Sequence, residues 1–120
     1  YSTLKDAQPG ESSEAMRARV IKARTIQQHR FAEYNATAQN PIHCNAQMTP
    51  KLVREFCQLD AAGDKLLSYA MDKMGLSARA YDRILKVART IADLDNSTNI
   101  LVKHISEAIS YRSLDREDWI

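Results

Sequence analysis

Residues 75–94 read Gly75-Leu76-Ser77-Ala78-Arg79-Ala80-Tyr81-Asp82-Arg83-Ile84-Leu85-Lys86-Val87-Ala88-Arg89-Thr90-Ile91-Ala92-Asp93-Leu94, which is the pattern of one amphipathic helix with a marked start. At about 100° per residue, one face of this helix is apolar and carries Ala80, Tyr81, Ile84, Val87, Ala88, Ile91 and Leu94. The other face is polar and carries Arg79, Asp82, Arg83, Lys86, Arg89, Thr90 and Asp93. We therefore predict a core helix whose apolar face points inward and whose polar face points to solvent.

The start of this helix places an arginine where electrostatics disfavour one. Ser77 is the predicted N-cap, so Arg79 falls at about the second helical position. The helix N-terminus is partly positive, and an exposed cation there costs about 0.3–1 kcal/mol. One interpretation is a solvated arginine whose cost is too small to matter, and electrostatics alone favours it. The other is an anion site, for phosphate above all, built from free N–H groups and the guanidinium.

The rest of the chain predicts an all-α domain, a small bundle of four to five helices. Its 120 residues suffice for one core, and three glycines and three prolines are few for a turn-rich β fold. Helices are predicted over about 12–34, after Thr49-Pro50, over about 60–74, over 77–94 and over about 100–111. Gly75 suits the left-handed position after the third helix. Residues 35–48 are predicted to be a long irregular loop, either functional or mobile.

The composition also suggests how the chain is divided. Residues 1–11 are polar, contain Pro9-Gly10 and read as a linker. Residues 12–112 are expected to form the helical domain. Residues 113–120 are charged, end in Trp119-Ile120 and read as a flexible tail.

Several function classes are disfavoured. No run of about 18 apolar residues predicts a membrane span. No Gly-x-x-x-x-Gly-Lys-Ser/Thr loop, metal-spaced carboxylate cluster or Ser–His–Asp arrangement is present, so we expect no catalytic residue and no metal site in this fragment. His43-Cys44 invites a zinc interpretation, but Cys57 and either His29 or His104 would have to join it without the usual paired spacing.

The alternative hypothesis is that the domain is a nucleic-acid-binding module. The Gly75–Ser77 corner followed by a basic helix resembles a helix-turn-helix, and Arg17, Arg19, Lys22 and Arg24 add basic surface. Against it, the net charge is only +2. Asp82 also lies four residues before Lys86, the favourable order for a neutralising pair. That pairing would leave Arg79 and Arg83 uncompensated, which indicates a local anion site.

Three stretches together resemble the C-terminal domain of magnesium chelatase-like AAA+ ATPases, in the subfamily linked to natural competence. The first is the start, with Gly10-Glu11-Ser12-Ser13 and the basic helix through Arg30-Phe31. The second and most specific is the central motif over residues 75–94. The third is His104, Glu107-Ala108-Ile109, Tyr111-Arg112 and Leu114-Asp115-Arg116. The likeness covers about residues 1–116 and departs at Leu101, where a small polar helix cap would be usual.

The resemblance implies a helical lid that packs on an upstream P-loop ATPase core, which would bind most of the ATP and Mg²⁺. Arg79 matches the sensor-2 arginine that contacts the γ-phosphate, and Arg83 is a secondary candidate. The fragment alone would be no enzyme, whereas the full-length protein would be an ATPase.

The resemblance also implies partners. Family members form homo-oligomeric rings, usually hexamers, so neighbouring subunits are expected contacts in a cytoplasmic protein. Competence-linked members act on DNA, whereas true magnesium chelatase subunits insert magnesium into a porphyrin. The closer likeness is to the competence-linked members, and a lid of a true chelatase subunit is the alternative.

Overall fold

The computed structural model of the protein describes residues 12–118, with side chains over 12–111. Within that range the chain forms five α-helices and one 3-10 turn, which confirms the predicted all-α bundle. They are α1 (Ser13–Thr37), the 3-10 turn (Asn45–Gln47), α2 (Pro50–Phe56), α3 (Ala61–Met74), α4 (Ala78–Leu94) and α5 (Val102–Asp118). None of the helices in the described range is long and apolar enough to cross a membrane.

Short polar side chains set the start of the first four helices. In each case the side chain of the N-cap residue accepts a hydrogen bond from the third backbone N–H of the helix. That N–H has no carbonyl partner within the helix. The pairs are Ser12 with Ala15 N, Thr49 with Leu52 N, Asp60 with Gly63 N and Ser77 with Ala80 N. The predicted caps at Thr49 and Ser77 are confirmed.

A single glycine makes the tight corner between α3 and α4. Gly75 has φ +60° and ψ +43°, the left-handed conformation that glycine adopts without steric cost. The N–H groups of Gly75 and Leu76 both donate to the Met71 carbonyl oxygen. The helix end is closed by these bonds, and α4 begins three residues later.

Two helices run further than their sequence patterns predict. The first extends to Thr37 instead of about Tyr34, so it takes the first residues of the predicted 35–48 loop. The remaining loop is pinned by Asn35, whose side chain donates to the Ile42 carbonyl at 2.7 Å and accepts from the Ile42 N–H at 2.9 Å. The last helix continues through 113–118, part of the predicted tail. The predicted linker 1–11 and Trp119-Ile120 lie outside the described residues.

An unusual cap explains how α5 can begin after Leu101. The Leu101 N–H donates to His104 Nδ1 at 2.9 Å, so the histidine side chain reaches back to the residue that precedes the helix. Since Nδ1 accepts this bond, Nε2 carries the proton and donates to Asp95 Oδ2 at 2.9 Å. His104 is thus a buried cap residue, and hydrogen bonds from His104 and Lys103 lower the pKa of Asp95.

The central helix α4 packs against α1, α2, α5 and the 3-10 turn, while α3 packs against α5. The core between them contains Phe31, Leu67, Ile84, Ile100 and Ile105. The ring of Phe31 meets that of Phe56 edge-on, with centroids 5.9 Å apart.

The buried face of α4 is rotated from the one that its apolar pattern predicts. Ala80, Ile84 and Ala88 are buried as predicted. Arg89 and Asp93, which were predicted to face solvent, are 5% and 2% exposed, whereas apolar Val87 is 38% exposed. The prediction for the two charged residues was wrong. Asp93 pairs with Arg30, 63 residues away, and Arg89 donates to carbonyl oxygens of the loop that follows the helix.

We expect Gly75→Ala to lower the free energy of unfolding by about 1–2 kcal/mol, the cost of holding an L-residue left-handed. No atom lies within 4 Å of the Cβ that alanine would add, so the loss is purely conformational. Urea unfolding measures it. Gly75→Asn is the control and should lose less, because asparagine tolerates this conformation better. Equal losses in the two variants would contradict the explanation.

Candidate functional site

The start of α4 presents an exposed arginine beside the first backbone N–H groups of the helix. Arg79 is the second residue of α4, as predicted, and its side chain is exposed. Ser77 accepts from Ala80 N through its side chain and from Tyr81 N through its carbonyl. The N–H groups of Ala78 and Arg79 precede these bonds, and the first turn contains no acidic residue. The positive potential of the helix end therefore adds to that of the guanidinium.

The second candidate, Arg83, is exposed one turn further along the same helix. The predicted neutralising pair next to it is wrong: among the ion pairs of the described residues, Asp82–Lys86 does not occur. Lys86 Nζ instead donates to the Ala46 carbonyl oxygen at 3.3 Å. Arg79 and Arg83 therefore remain candidates because they lie near the N-terminus of α4. The argument that Asp82 neutralises Lys86 no longer supports them.

Comparison with known proteins shows the family to which the chain belongs. The family described as "Magnesium chelatase, subunit ChlI C-terminal" matches residues 10–112, most of the chain. The chain belongs to this family. It is the C-terminal domain of a magnesium chelatase-like protein, as its central motif predicts.

Three relatives illustrate the relationship. YifB of Escherichia coli is 42% identical over 108 residues, which are 90% of this chain and 19% of YifB. The competence protein ComM of Haemophilus influenzae is 39% identical over 107 residues, 89% of this chain and 19% of ComM. A Mycobacterium tuberculosis protein is 31% identical over 106 residues, 88% of this chain and 20% of its own length. The chain thus spans about a fifth of the length of these relatives.

This chelatase-family domain also contains a buried ionic cluster. The Asp93 carboxylate accepts two hydrogen bonds from Arg30, each 2.7 Å long, and one from Asn45 Nδ2 at 2.8 Å. Arg89 NH2 lies 3.2 Å from the same carboxylate. Asn45 also accepts from Arg30 at 2.9 Å and is fully buried. The cluster therefore joins α1, the 3-10 turn and α4.

Arg89 extends the cluster to the loop between α4 and α5. Its NH1 donates to the Thr98 carbonyl at 3.0 Å and its NH2 to the Ser97 carbonyl at 2.8 Å. Burial lowers the pKa of Arg89, and the adjacent Asp93 opposes that shift. Because its NH1 and NH2 groups donate to loop carbonyl oxygens, the guanidinium anchors the loop. Its Nε is buried and has no hydrogen-bond partner among the described residues.

The sequence contains little that could have revealed this cluster. Arg89 and Asp93 stand four residues apart, a spacing common in exposed helical pairs. Arg30 and Asn45 are far away in sequence and lack any local signal. Only the packing of α1 and the 3-10 turn against α4 brings them together.

The described residues do not bring the predicted candidate ligands together. No group of three or more His, Cys, Asp or Glu side chains in the described range could hold a metal ion. His43 and Cys44 are exposed, whereas Cys57 is buried. Burial raises the pKa of the Cys57 thiol to about 11, and Arg89 only partly offsets the shift. At neutral pH Cys57 is therefore a protonated core side chain and not a nucleophile.

We expect Asp93→Asn to lower the free energy of unfolding by about 3–5 kcal/mol, because two arginines would lose their counter-charge in the interior. Chemical denaturation measures the loss. Asp72→Asn is the matched control, since Asp72 is an exposed aspartate on α3, and such changes stay within about 0.5 kcal/mol. Equal stability of the two variants would show that the cluster is not a structural anchor.

The two cysteines should differ sharply in reactivity. At pH 8 a thiol-alkylating reagent should modify Cys44 quickly and spare Cys57, whose raised pKa keeps the thiolate fraction small. Peptide mass mapping measures both rates, and unfolding the protein should equalise them. Rapid labelling of Cys57 in the folded protein would contradict its assignment to the core.

Proposed function

We propose that this domain is the sensor-2 lid of a magnesium chelatase-like AAA+ ATPase. The observation that carries the proposal is the exposed Arg79 at the second position of α4, in a first turn without an acidic residue. A cation placed there is unfavourable unless an anion binds beside it. A nucleotide phosphate is such an anion, and family membership supports a protein that handles nucleotides.

In this mechanism the lid supplies one side of a phosphate site. An upstream core holds most of the ATP and its Mg²⁺. When the lid closes, the Arg79 guanidinium donates a charge-assisted hydrogen bond to a γ-phosphate oxygen. The N–H groups at the helix start add favourable potential. Arg83, one turn away, is the secondary candidate for the same anion.

The whole protein would work as an assembly. We propose a homo-oligomeric ring, a hexamer as in related ATPases, in which the lid contacts its own core and neighbouring subunits. The resemblance to competence-linked members and the relative named competence protein ComM support DNA as the partner of the motor. A cytoplasmic location follows from such a role.

We expect Arg79→Ala in the full-length protein to reduce ATP turnover by well over tenfold, because a charge-assisted contact to the transferred phosphoryl group is lost. Steady-state hydrolysis assays measure kcat and KM. Arg54→Ala is the control, since Arg54 is an exposed arginine on a different helix, α2. Near-normal hydrolysis by Arg79→Ala would refute the assignment of Arg79.

One observation supports the alternative that this domain binds nucleic acid. Arg17, Lys22 and Arg24 are all exposed on the first half of α1. Titration with duplex and single-stranded DNA at two salt concentrations discriminates, because binding through phosphates weakens steeply with salt. Salt-dependent micromolar binding by this domain would favour the alternative. Absence of binding would favour the lid.

A further inference from the structure

The apolar face of α4 and its buried face do not coincide. The apolar face is centred near Ile91 and includes Val87, which is 38% exposed. The buried face includes Arg89 and Asp93. At about 100° per residue, the centres of the two faces differ by roughly 80° around the helix axis. The helix is thus rotated well away from the face that its apolar pattern would bury.

Apolar burial alone does not select the observed rotation. That rotation buries Leu85 and Ala92 but leaves Val87, Ile91 and Leu94 partly exposed. The hydrophobic effect is non-directional and grows with the apolar area removed from water. Burying the three larger side chains would therefore be favoured if nothing else acted on the helix.

The start of α4 does not select the rotation either. Ala80, Ile84 and Ala88 lie on both the apolar and the buried face, so either rotation buries them. The cap at Ser77 and the corner at Gly75 fix where the helix begins, through bonds to its first turn and to the preceding helix. The choice between the two rotations must come from contacts further along α4.

The hydrogen bonds of Asp93 supply the direction that apolar contacts lack. Arg30 of α1 donates to both carboxylate oxygens at 2.7 Å, and its NH1 also donates to Asn45 Oδ1 at 2.9 Å. Two parallel bonds from a planar guanidinium fix the orientation of the carboxylate as well as its distance. A rotation of α4 toward its apolar face would carry Asp93 out of reach of Arg30.

A rotation at Asp93 is transmitted to Arg79 at the other end of the helix. The two residues belong to one continuous helix of 17 residues, and they are separated by about 21 Å along its axis. Turning the helix by roughly 80° would move a side-chain group that lies about 6 Å from the axis through about 8 Å. A misplacement of about 1 Å can already cost a reaction about 100-fold.

We propose that Arg30 is a positioning residue for Arg79. Through its paired hydrogen bonds to Asp93, Arg30 sets the rotation of α4 and so the direction in which Arg79 points. The inference rests on the proposed function, because it takes the nucleotide phosphate as the target of Arg79.

The first measurement is independent of ATP hydrolysis. Arg30→Met in the full-length protein removes the paired donors but leaves the neutral pair of Arg89 and Asp93 in the interior, so we expect the domain to fold. Hydroxyl-radical footprinting with peptide mass spectrometry then reports the exposure of Leu85 and Val87, which lie on nearly opposite sides of α4. We expect labelling of Val87 to fall at least twofold and labelling of Leu85 to rise at least twofold.

Two further variants complete this measurement. Arg54→Met is the matched control, since Arg54 is an exposed arginine on α2, and it should leave both labelling levels unchanged. Arg30→Lys keeps the positive charge without the planar pair of donors. It should shift the labelling in the same direction to a smaller extent, and it takes the place of Arg30→Met if that variant does not fold.

The second measurement is a double-mutant cycle on ATP turnover by the full-length protein. Arg30→Met should lower kcat about tenfold, because Arg79 no longer reaches the phosphate. In the Arg79→Ala background the same change should have no further effect, since the residue that it positions is already absent. A residue that only stabilises the fold would lower kcat by the same factor in both backgrounds.

Three results would overturn the positioning proposal. These are unchanged labelling of Leu85 and Val87 in Arg30→Met, a rise at both positions, which indicates a loosened core, and equal losses of kcat in the two backgrounds. Normal hydrolysis by Arg79→Ala together with the expected shift in labelling would refute the sensor role and leave the control of the rotation by Arg30 intact. Impaired hydrolysis by Arg79→Ala without a shift in labelling would refute the positioning alone.

Discussion

The carboxylate of Asp93 is the point on which the arrangement of this domain depends. It is buried between Arg30 and Arg89, and Asn45 donates to one of its oxygens. Taking three charges out of water is costly, and a well-packed apolar cluster would often be at least as stable. What the ionic cluster adds is geometric specificity, because the planar guanidinium of Arg30 donates to both oxygens of the carboxylate. We infer that it determines how α4 is turned and where α1 and the 3-10 turn lie against it.

The orientation of α4 determines which side chains the helix buries and which it exposes. The helix has 17 residues and spans about 25 Å. Its N-terminal end presents Arg79, while its C-terminal half holds the ionic cluster on one side and the less buried Val87, Ile91 and Leu94 on the other. The buried cluster and the exposed arginine therefore belong to one continuous helix.

Much of the fold follows from local rules that can be read in the sequence. Ser77 and Thr49 cap helices, Gly75 makes a left-handed corner, and the period of the apolar residues predicts α4 itself. The position of Arg79 follows from the cap at Ser77, so the exposed candidate could be identified without coordinates. The start of α5 could not, because its cap is a buried histidine that also bonds the preceding loop.

The sequence by itself determined the helices, most of their ends, the family and the place of Arg79 at the start of α4. These depend on contacts between residues a few positions apart, whose energies are similar in any context. Only the tertiary structure decided which face of α4 is buried. Helical periodicity assigns Arg89 and Asp93 to the solvent-facing side, because it contains no information on residues elsewhere in the chain. Arg30, which pairs with Asp93, and Asn45, which donates a hydrogen bond to it, are 63 and 48 residues away and meet it only when the chain has folded.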